Sequence, residues 1–378
     1  MQFTVDQSDL AAAVTYAAHS LPARPPVPVL AGLLLTATDD DMLRISAFDY
    51  ETSSDITIQA AVTVPGRALV SGRLLTDIAA RVRGTVRGEL TGPRLILTAG
   101  SARFTLPTLP LEDYPQLPDA GTGSGTLPGP ALAEAVTQVA AALGNDDALP
   151  VLSGISLHYD QDAGTLTFTA TDRYRFAVRT LTWKHCNLTG ERTALAPGKK
   201  LLDAVKACAD DPAVDLTIPG DGGNSGLFTV RSETSTSTLR AIEGSLPAYS
   251  TLFPSEFAHT ATVEISVLKE AVQRVALVAT RSTPVRLTFT ADGSLVLEAG
   301  SSDDAQAVDT VDTALQGEEL TIAFNPQFLT DALTAFTVGG ATAVDFQFTS
   351  PTKPAILHGH DSDDQALRYA LMPVRLTD

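Results

Sequence analysis

The 378-residue sequence predicts an α+β chain of three similar domains, each with two helices packed on antiparallel sheet. Three features carry this: a repeat of about 125 residues, apolar stripes of helical spacing that return at the same place in each copy, and period-two alternation through the remainder. The length alone implies two or three domains at roughly 100–200 residues each.

In the first copy, Leu10, Ala13, Val14 and Ala17 fall at i, i+3, i+4 and i+7, the stripe of an amphipathic helix. Leu132, Ala135, Val136 and Val139 repeat it in the second copy, and Leu268, Ala271, Val272 and Val275 in the third. Pro28-Val29-Leu30-Ala31-Gly32-Leu33 returns as Pro150-Val151-Leu152-Ser153-Gly154-Ile155 at the same 122-residue offset as the first two helices. The third copy has Pro284-Val285-Arg286-Leu287 there, after a shorter connection.

A second helix follows in each copy, at Leu75, Ile78, Ala79 and Val82, at Leu201, Ala204, Val205 and Cys208, and at Leu329, Ala332, Leu333 and Phe336. Ser71-Gly72, Pro197-Gly198 and Asn325-Pro326 mark their starts. The intervening segments, such as Leu33–Thr36, Met42–Ser46, Leu95–Thr98 and Arg103–Leu106, alternate as strands do, with turns at Asp162-Ala163-Gly164 and Ala291-Asp292-Gly293. Gly- and Pro-rich runs at 118–125 and 254–256 place the domains at 1–121, 126–254 and 258–378.

Hydrophobic residues make up 44% and charged residues 19%, a core-forming composition that excludes disorder as the main state. No apolar run reaches the roughly 18 residues of a membrane helix, and the N-terminus has no signal-peptide pattern, so a cytoplasmic protein is expected. Cys186 and Cys208 are too few for a disulfide framework. Against 26 Lys and Arg stand 44 Asp and Glu, a net charge of -18. That balance argues against nucleic acid only if charge is spread evenly, and a few cations on one inner surface would escape it.

Six segments resemble a known family: Met1-Gln2-Phe3-Thr4-Val5, Arg24–Leu30, Thr169–Arg175, Leu246-Pro247-Ala248-Tyr249, Ala323-Phe324-Asn325-Pro326 and Leu371–Leu376. In order, on a threefold repeat, they are similar to the β sliding clamp of bacterial DNA polymerase III. The resemblance implies the DNA clamp fold, a head-to-tail homodimer closed into a ring around duplex DNA, and a processivity role without cofactor or catalysis. A ring that holds DNA topologically gains mobility from weak contacts, which suits an acidic chain. The resemblance carries Arg24 to the DNA-facing surface. Arg73 and Lys199 stand at equivalent helix starts, with Lys200, Lys206, Lys269 and Arg274 as pattern-only candidates. Each could equally be an ordinary solvated helix charge.

The resemblance also implies a pocket for short linear peptides of the polymerase III α subunit, the clamp loader, repair polymerases and ligase. It places there Leu152, Thr171, Arg173, Tyr174, Arg175, Phe176, Pro247, Leu252, Asn325, Phe328, Pro354, Met372, Pro373, Val374, Arg375 and Leu376. Apolar anchors would supply affinity and the polar groups register, whereas the simpler reading is packing of a domain junction. The implied dimer contact sets Phe104 and Leu106 against Leu277 and Val278 of the other subunit. The chain departs from the family pattern at Ser250 and Thr251, where two basic residues are usual, and at Phe176, where leucine is usual. Such changes suggest a specialised second copy that escapes a cyclic-peptide inhibitor of clamps.

No nucleophile elbow or P-loop is present, so an enzyme is not expected. His358 and His360 with Asp361 lack the further ligands of a metal site, and Asp49 and Asp172, at equivalent repeat positions, read as turn or cap residues rather than an acid/base pair. The rival class is a repeat scaffold or adhesion protein with no DNA role, which gives no reason for Arg24, Arg73 and Lys199.

Overall fold

The computed structural model describes residues 1–121, 123–146, 148–184, 186–220, 226–248, 252–279, 283–300, 305–360, 362 and 367–375. Six helices form among these residues: α1 (Gln7–Ala18), α2 (Gly72–Ala79), α3 (Gly129–Ala140), α4 (Gly198–Ala207), α5 (Ile265–Val275) and α6 (Pro326–Val338). Every residue of the six apolar stripes is buried. Val82 and Cys208 lie just beyond α2 and α4, in the turns that end those helices, and keep their places in the core.

Two helix starts are capped by side chains. The Asp6 carboxylate accepts the Ser8 amide at 2.9 Å, and Asn325 Oδ1 accepts the amides of Gln327 at 2.9 Å and Phe328 at 3.3 Å. Ser71 makes no such cap; Gly72 follows it, where a Cβ would stand 2.5 Å from Leu21 Cδ1 and 3.2 Å from the Ala31 carbonyl oxygen. Gly198 repeats the device, with Leu143 Cδ2 at 2.5 Å.

The chain divides into two compact units, one holding residues 1–130, 185–188 and 203–241, the other 131–184, 189–202 and 242–378. The second repeat is thus shared between them, because its strands pair in both. In the first unit, a five-stranded sheet runs from Ala61–Val64 to the edge strand Ala102–Pro107, and an eight-stranded sheet joins Thr52–Gln59 to Ser235–Arg240. In the second, a nine-stranded sheet joins Arg175–Thr182 to Arg368–Leu371, and a four-stranded sheet ends at the edge strand Gln306–Asp312.

The two central pairings are counterparts. Thr52 lies opposite Leu239 in one antiparallel seam and Arg175 opposite Leu371 in the other. Their side chains differ in kind. Hydroxyls fill the first: Ser53 bonds Thr238, Tyr16 bonds Ser237 at 2.8 Å and Ser20 bonds Ser54 at 2.7 Å, so buried polar groups satisfy one another. Aromatic rings and charges fill the second.

Candidate functional site

The second seam opens on the loop between the strands Thr165–Thr171 and Arg175–Thr182. Asp172 Oδ1 accepts the amides of Tyr174 and Arg175, both at 3.0 Å, and Thr171 Oγ1 donates to the Arg175 carbonyl at 2.7 Å. Arg173 takes a left-handed backbone, φ 82°. That turn lifts the Tyr174 ring outward, where it is 54% exposed. Asp49 builds the same turn in the first repeat, accepting the amide of Glu51 at 3.0 Å, so both aspartates are turn residues.

Arg175 points the other way. Its guanidinium donates to Asp172 at 2.9 Å and to Asp331 of α6 at 2.6 Å, and lies 4.5 Å from the centroid of the Phe328 ring. Phe328 in turn stacks on Tyr174 at 5.9 Å with 27° between ring planes. Burial works against the Arg175 charge, but Tyr369, Asp331 and Asp172 outweigh it and hold its pKa above the ordinary arginine value. The C-terminal segment crosses beside this stack. The Met372 amide donates to the Tyr174 carbonyl and the Val374 amide to the Ala323 carbonyl, each at 2.8 Å. Met372 and Val374 remain 40% and 39% exposed, apolar surface beside an aromatic stack.

The expected pocket residues therefore separate into groups. Thr171, Arg173, Tyr174, Arg175, Asn325, Phe328, Met372, Pro373 and Val374 gather where the loop, α6 and the C-terminal segment meet, and Arg375 follows, exposed. Phe176 follows Arg175 and alternation turns it to the opposite face of its strand. There it lies 6.5 Å from Phe253 and packs with Val178, Ile356, Ala370, Leu252 and Phe257. Arg368 covers Phe253 at 4.9 Å. Leu152, Thr171 and Phe176 are buried, so they form walls; Pro247 is exposed and Pro354 half-buried. Leu376, Ser250, Thr251 and Asp361 lie outside the described residues. The sequence reading missed Asp331 and Phe253. The i+6 spacing of Asp331 from its cap Asn325 gave no hint that it meets Arg175, a partner 156 residues away.

Of the expected cations, Arg24, Arg73, Lys199 and Lys206 are exposed, while Lys200 and Lys269 are half-buried. Arg274 is held by Asp309 at 2.7 Å and Glu270 at 3.6 Å, so its charge is already partnered.

The residues of the expected dimer contact differ in exposure. This side chain is 1% exposed in the core of the first unit, and Phe104, on the same strand face, is half-buried against that core. Leu277, by contrast, is 84% exposed, with Val278 half-buried beside it. A cleft of about 740 Å³ between α5 and α6 is lined by Leu277, Gln273, Asn325 and Gln327, so Leu277 and Asn325, assigned to separate sites by the sequence, share one wall. His360 bonds Asp345 at 3.0 Å, and no cluster of metal-ligating side chains occurs among the described residues.

A chain that uses one α+β unit three times and concentrates aromatic, apolar and arginine side chains at one seam is a binding protein built from repeats. Three family models of the DNA polymerase III beta subunit match it in order, the N-terminal domain over residues 1–118, the central domain over 126–248 and the C-terminal domain over 250–375. The chain belongs to this family, the beta sliding clamps, and is a DNA sliding clamp: a processivity factor, not an enzyme. It is 48% identical to the beta sliding clamp of Streptomyces coelicolor over 382 residues, covering all of both chains. It is 39% identical to the beta sliding clamp homolog GriR of Streptomyces muensis, covering 99% of each. Among solved structures, the sliding clamp of Pseudomonas aeruginosa bound to griselimycin matches with a TM-score of 0.87 and 25% identity over the whole of both chains. These matches displace the scaffold reading.

Proposed function

We propose that this clamp acts as a homodimer that encircles duplex DNA and tethers the polymerase III α subunit, the clamp loader, repair polymerases and ligase through short peptides bound at the second seam. The observation that carries the peptide reading is the Arg175–Phe328–Tyr174 stack beside exposed Met372 and Val374. A planar aromatic step flanked by apolar side chains suits Leu and Phe anchors, and the exposed Arg173 and the backbone of the C-terminal segment suit polar register contacts. Titration of a labelled peptide with Leu and Phe anchors tests it: saturable binding, lost in Arg175→Ala, is expected, and binding unaffected by that change would refute the site.

The repeat supports the dimer. Two seams close within the chain, and the third pair of strands, Gln306–Asp312 and Ala102–Pro107, is left as two open edges. Gly300 lies opposite Gln306 as Thr171 lies opposite Phe176, so Gln306 corresponds to Phe176. Leu106 corresponds to Leu239 and Leu371, all three buried. The same register across copies sets Gln306 opposite the partner's Thr105 and Val308 opposite the partner's Arg103, as Val178 stands opposite Arg368. Val308, 65% exposed, would be covered there. Two such head-to-tail contacts close by twofold symmetry.

Arg24, Arg73, Lys199 and Lys200 are assigned to weak DNA contacts, the domains to 1–121, 126–254 and 258–378, and the protein to the cytoplasm; no helix among the described residues is long and apolar enough to cross a membrane. The likeness to GriR favours a second reading, a specialised copy with a pocket that tolerates griselimycin. Griselimycin affinity equal to that of an ordinary clamp would count against it.

A further inference from the structure

Resting on the peptide-pocket reading, one residue outside that pocket emerges from the buried ion pairs beneath it. Arg175 is 8% exposed and meets a carboxylate on each side. Asp172 belongs to its own loop and already fixes that loop through the amides of Tyr174 and Arg175. Asp331 belongs to α6, one turn beyond Phe328; its Oδ2 accepts from Arg175 at 2.6 Å and its Oδ1 from Gln327 Nε2 at 2.7 Å. The guanidinium is planar and its donors are rigidly arranged, so two carboxylates that engage it fix each other's positions. Phe328 lies against this same guanidinium and Tyr174 against Phe328.

We infer that Asp331 is a positioning residue for peptide binding: acting through Arg175, it holds the Phe328 and Tyr174 rings in the stacked arrangement that receives an apolar anchor. The fold at this junction does not depend on it. The strand Arg175–Thr182 pairs with Arg368–Leu371 over four residues, and the amides of Met372 and Val374 tie the C-terminal segment to both sides. Asp331 itself is 31% exposed, so water can replace its partner. Its contribution is therefore to order two side chains before the peptide arrives, which raises affinity by lowering the entropy lost on binding.

The test is binding of a labelled peptide with Leu and Phe anchors to the full-length protein and its variants, with thermal unfolding measured alongside. Asp331→Asn should bind roughly tenfold more weakly, the effect of freeing two ordered side chains, with its melting temperature nearly unchanged. Asp331→Glu, which keeps the charge, should recover part of the loss. Should Asp331→Asn lower the melting temperature sharply, Gln327→Ala and Asp331→Glu, compared at a temperature where both are folded, decide the matter: only a charge-dependent affinity supports positioning. Equal affinity of wild type and Asp331→Asn overturns the inference and leaves the pocket standing. Failure of the wild type to bind overturns both.

Discussion

Tyr50 and Arg173 stand at equivalent places in two repeats and hold the same left-handed backbone, with φ of 75° and 82°. Each follows an aspartate that caps the turn, and each turn accepts an amide from the neighbouring strand: Arg240 donates to Glu51 and Met372 to Tyr174, both at 2.8 Å. The backbone is therefore a device used twice, and the side chains decide which copy binds. At the first turn Glu51 pairs with Arg240 at 3.0 Å and hydroxyls fill the seam behind it. At the second, Tyr174 and Arg175 are released from that arrangement and face α6.

Asp49→Ala and Asp172→Ala should accordingly differ in both stability and binding, because Asp172→Ala also removes a partner of the buried Arg175 guanidinium. Each loses a half-buried acceptor of two amides, about 1–3 kcal/mol, and Asp172→Ala should lose more than Asp49→Ala, read by denaturant unfolding. Only Asp172→Ala should weaken a Leu- and Phe-anchored peptide.

Phe328→Leu keeps apolar volume and removes both the ring stack and the surface under Arg175. A stacked aromatic pair contributes about 0.5–1.5 kcal/mol and a partly desolvated cation–π contact about 1–2. Peptide affinity should fall about tenfold or more by fluorescence polarisation, with circular dichroism unchanged.

Much of this was legible in the sequence, and particular residues show why. The six stripes were visible because helical and strand periods differ, and a repeat multiplies the signal threefold: Leu10, Leu132 and Leu268 each begin the same pattern. The family motifs pointed to Tyr174, Arg175 and Phe328. Asp331 and Phe253 were not legible, because an ion pair across 156 residues and a ring packed on a sheet face leave no periodic trace. The burial of Leu106 was not legible for a related reason. Alternation places it and Phe104 on one strand face, but not on which side the core lies.

Tyr16 and Tyr114 make the first unit sensitive to alkali. Burial pushes each phenol up to about 12, while an unfolded tyrosine titrates near 10. The stability this represents is complete below pH 10 and is lost as pH rises through the folded values. Each group contributes on the order of 2–3 kcal/mol. Burial likewise pushes the Cys208 thiol up to about 11, so urea midpoints should hold steady to about pH 9 and fall above it, most steeply above pH 10, and Tyr114→Phe should flatten that fall.

Introducing charge at an open edge tests the dimer. Val308→Lys puts a second cation opposite the partner's Arg103 in the proposed strand pairing, and Leu277→Asp removes the most exposed apolar side chain of the third repeat among the described residues. Sedimentation should give a species near twice 39.6 kDa for the wild type and near 39.6 kDa for the double variant.

Arg24, Arg73 and Lys199 should add to DNA affinity independently and weakly. Replacing all three by alanine should lower the slope of log affinity against log salt by about 0.9 for each phosphate that is no longer neutralised, without abolishing loading.

The central claim is topological linkage to DNA, and the most direct test is retention of the protein on circular duplex DNA after loading by a bacterial clamp loader with ATP. Retention on circles at high salt, followed by release when the circle is cut, is the expected result, because a closed ring can leave only over an end. Equal retention on circular and linear DNA, or none on either, would contradict it.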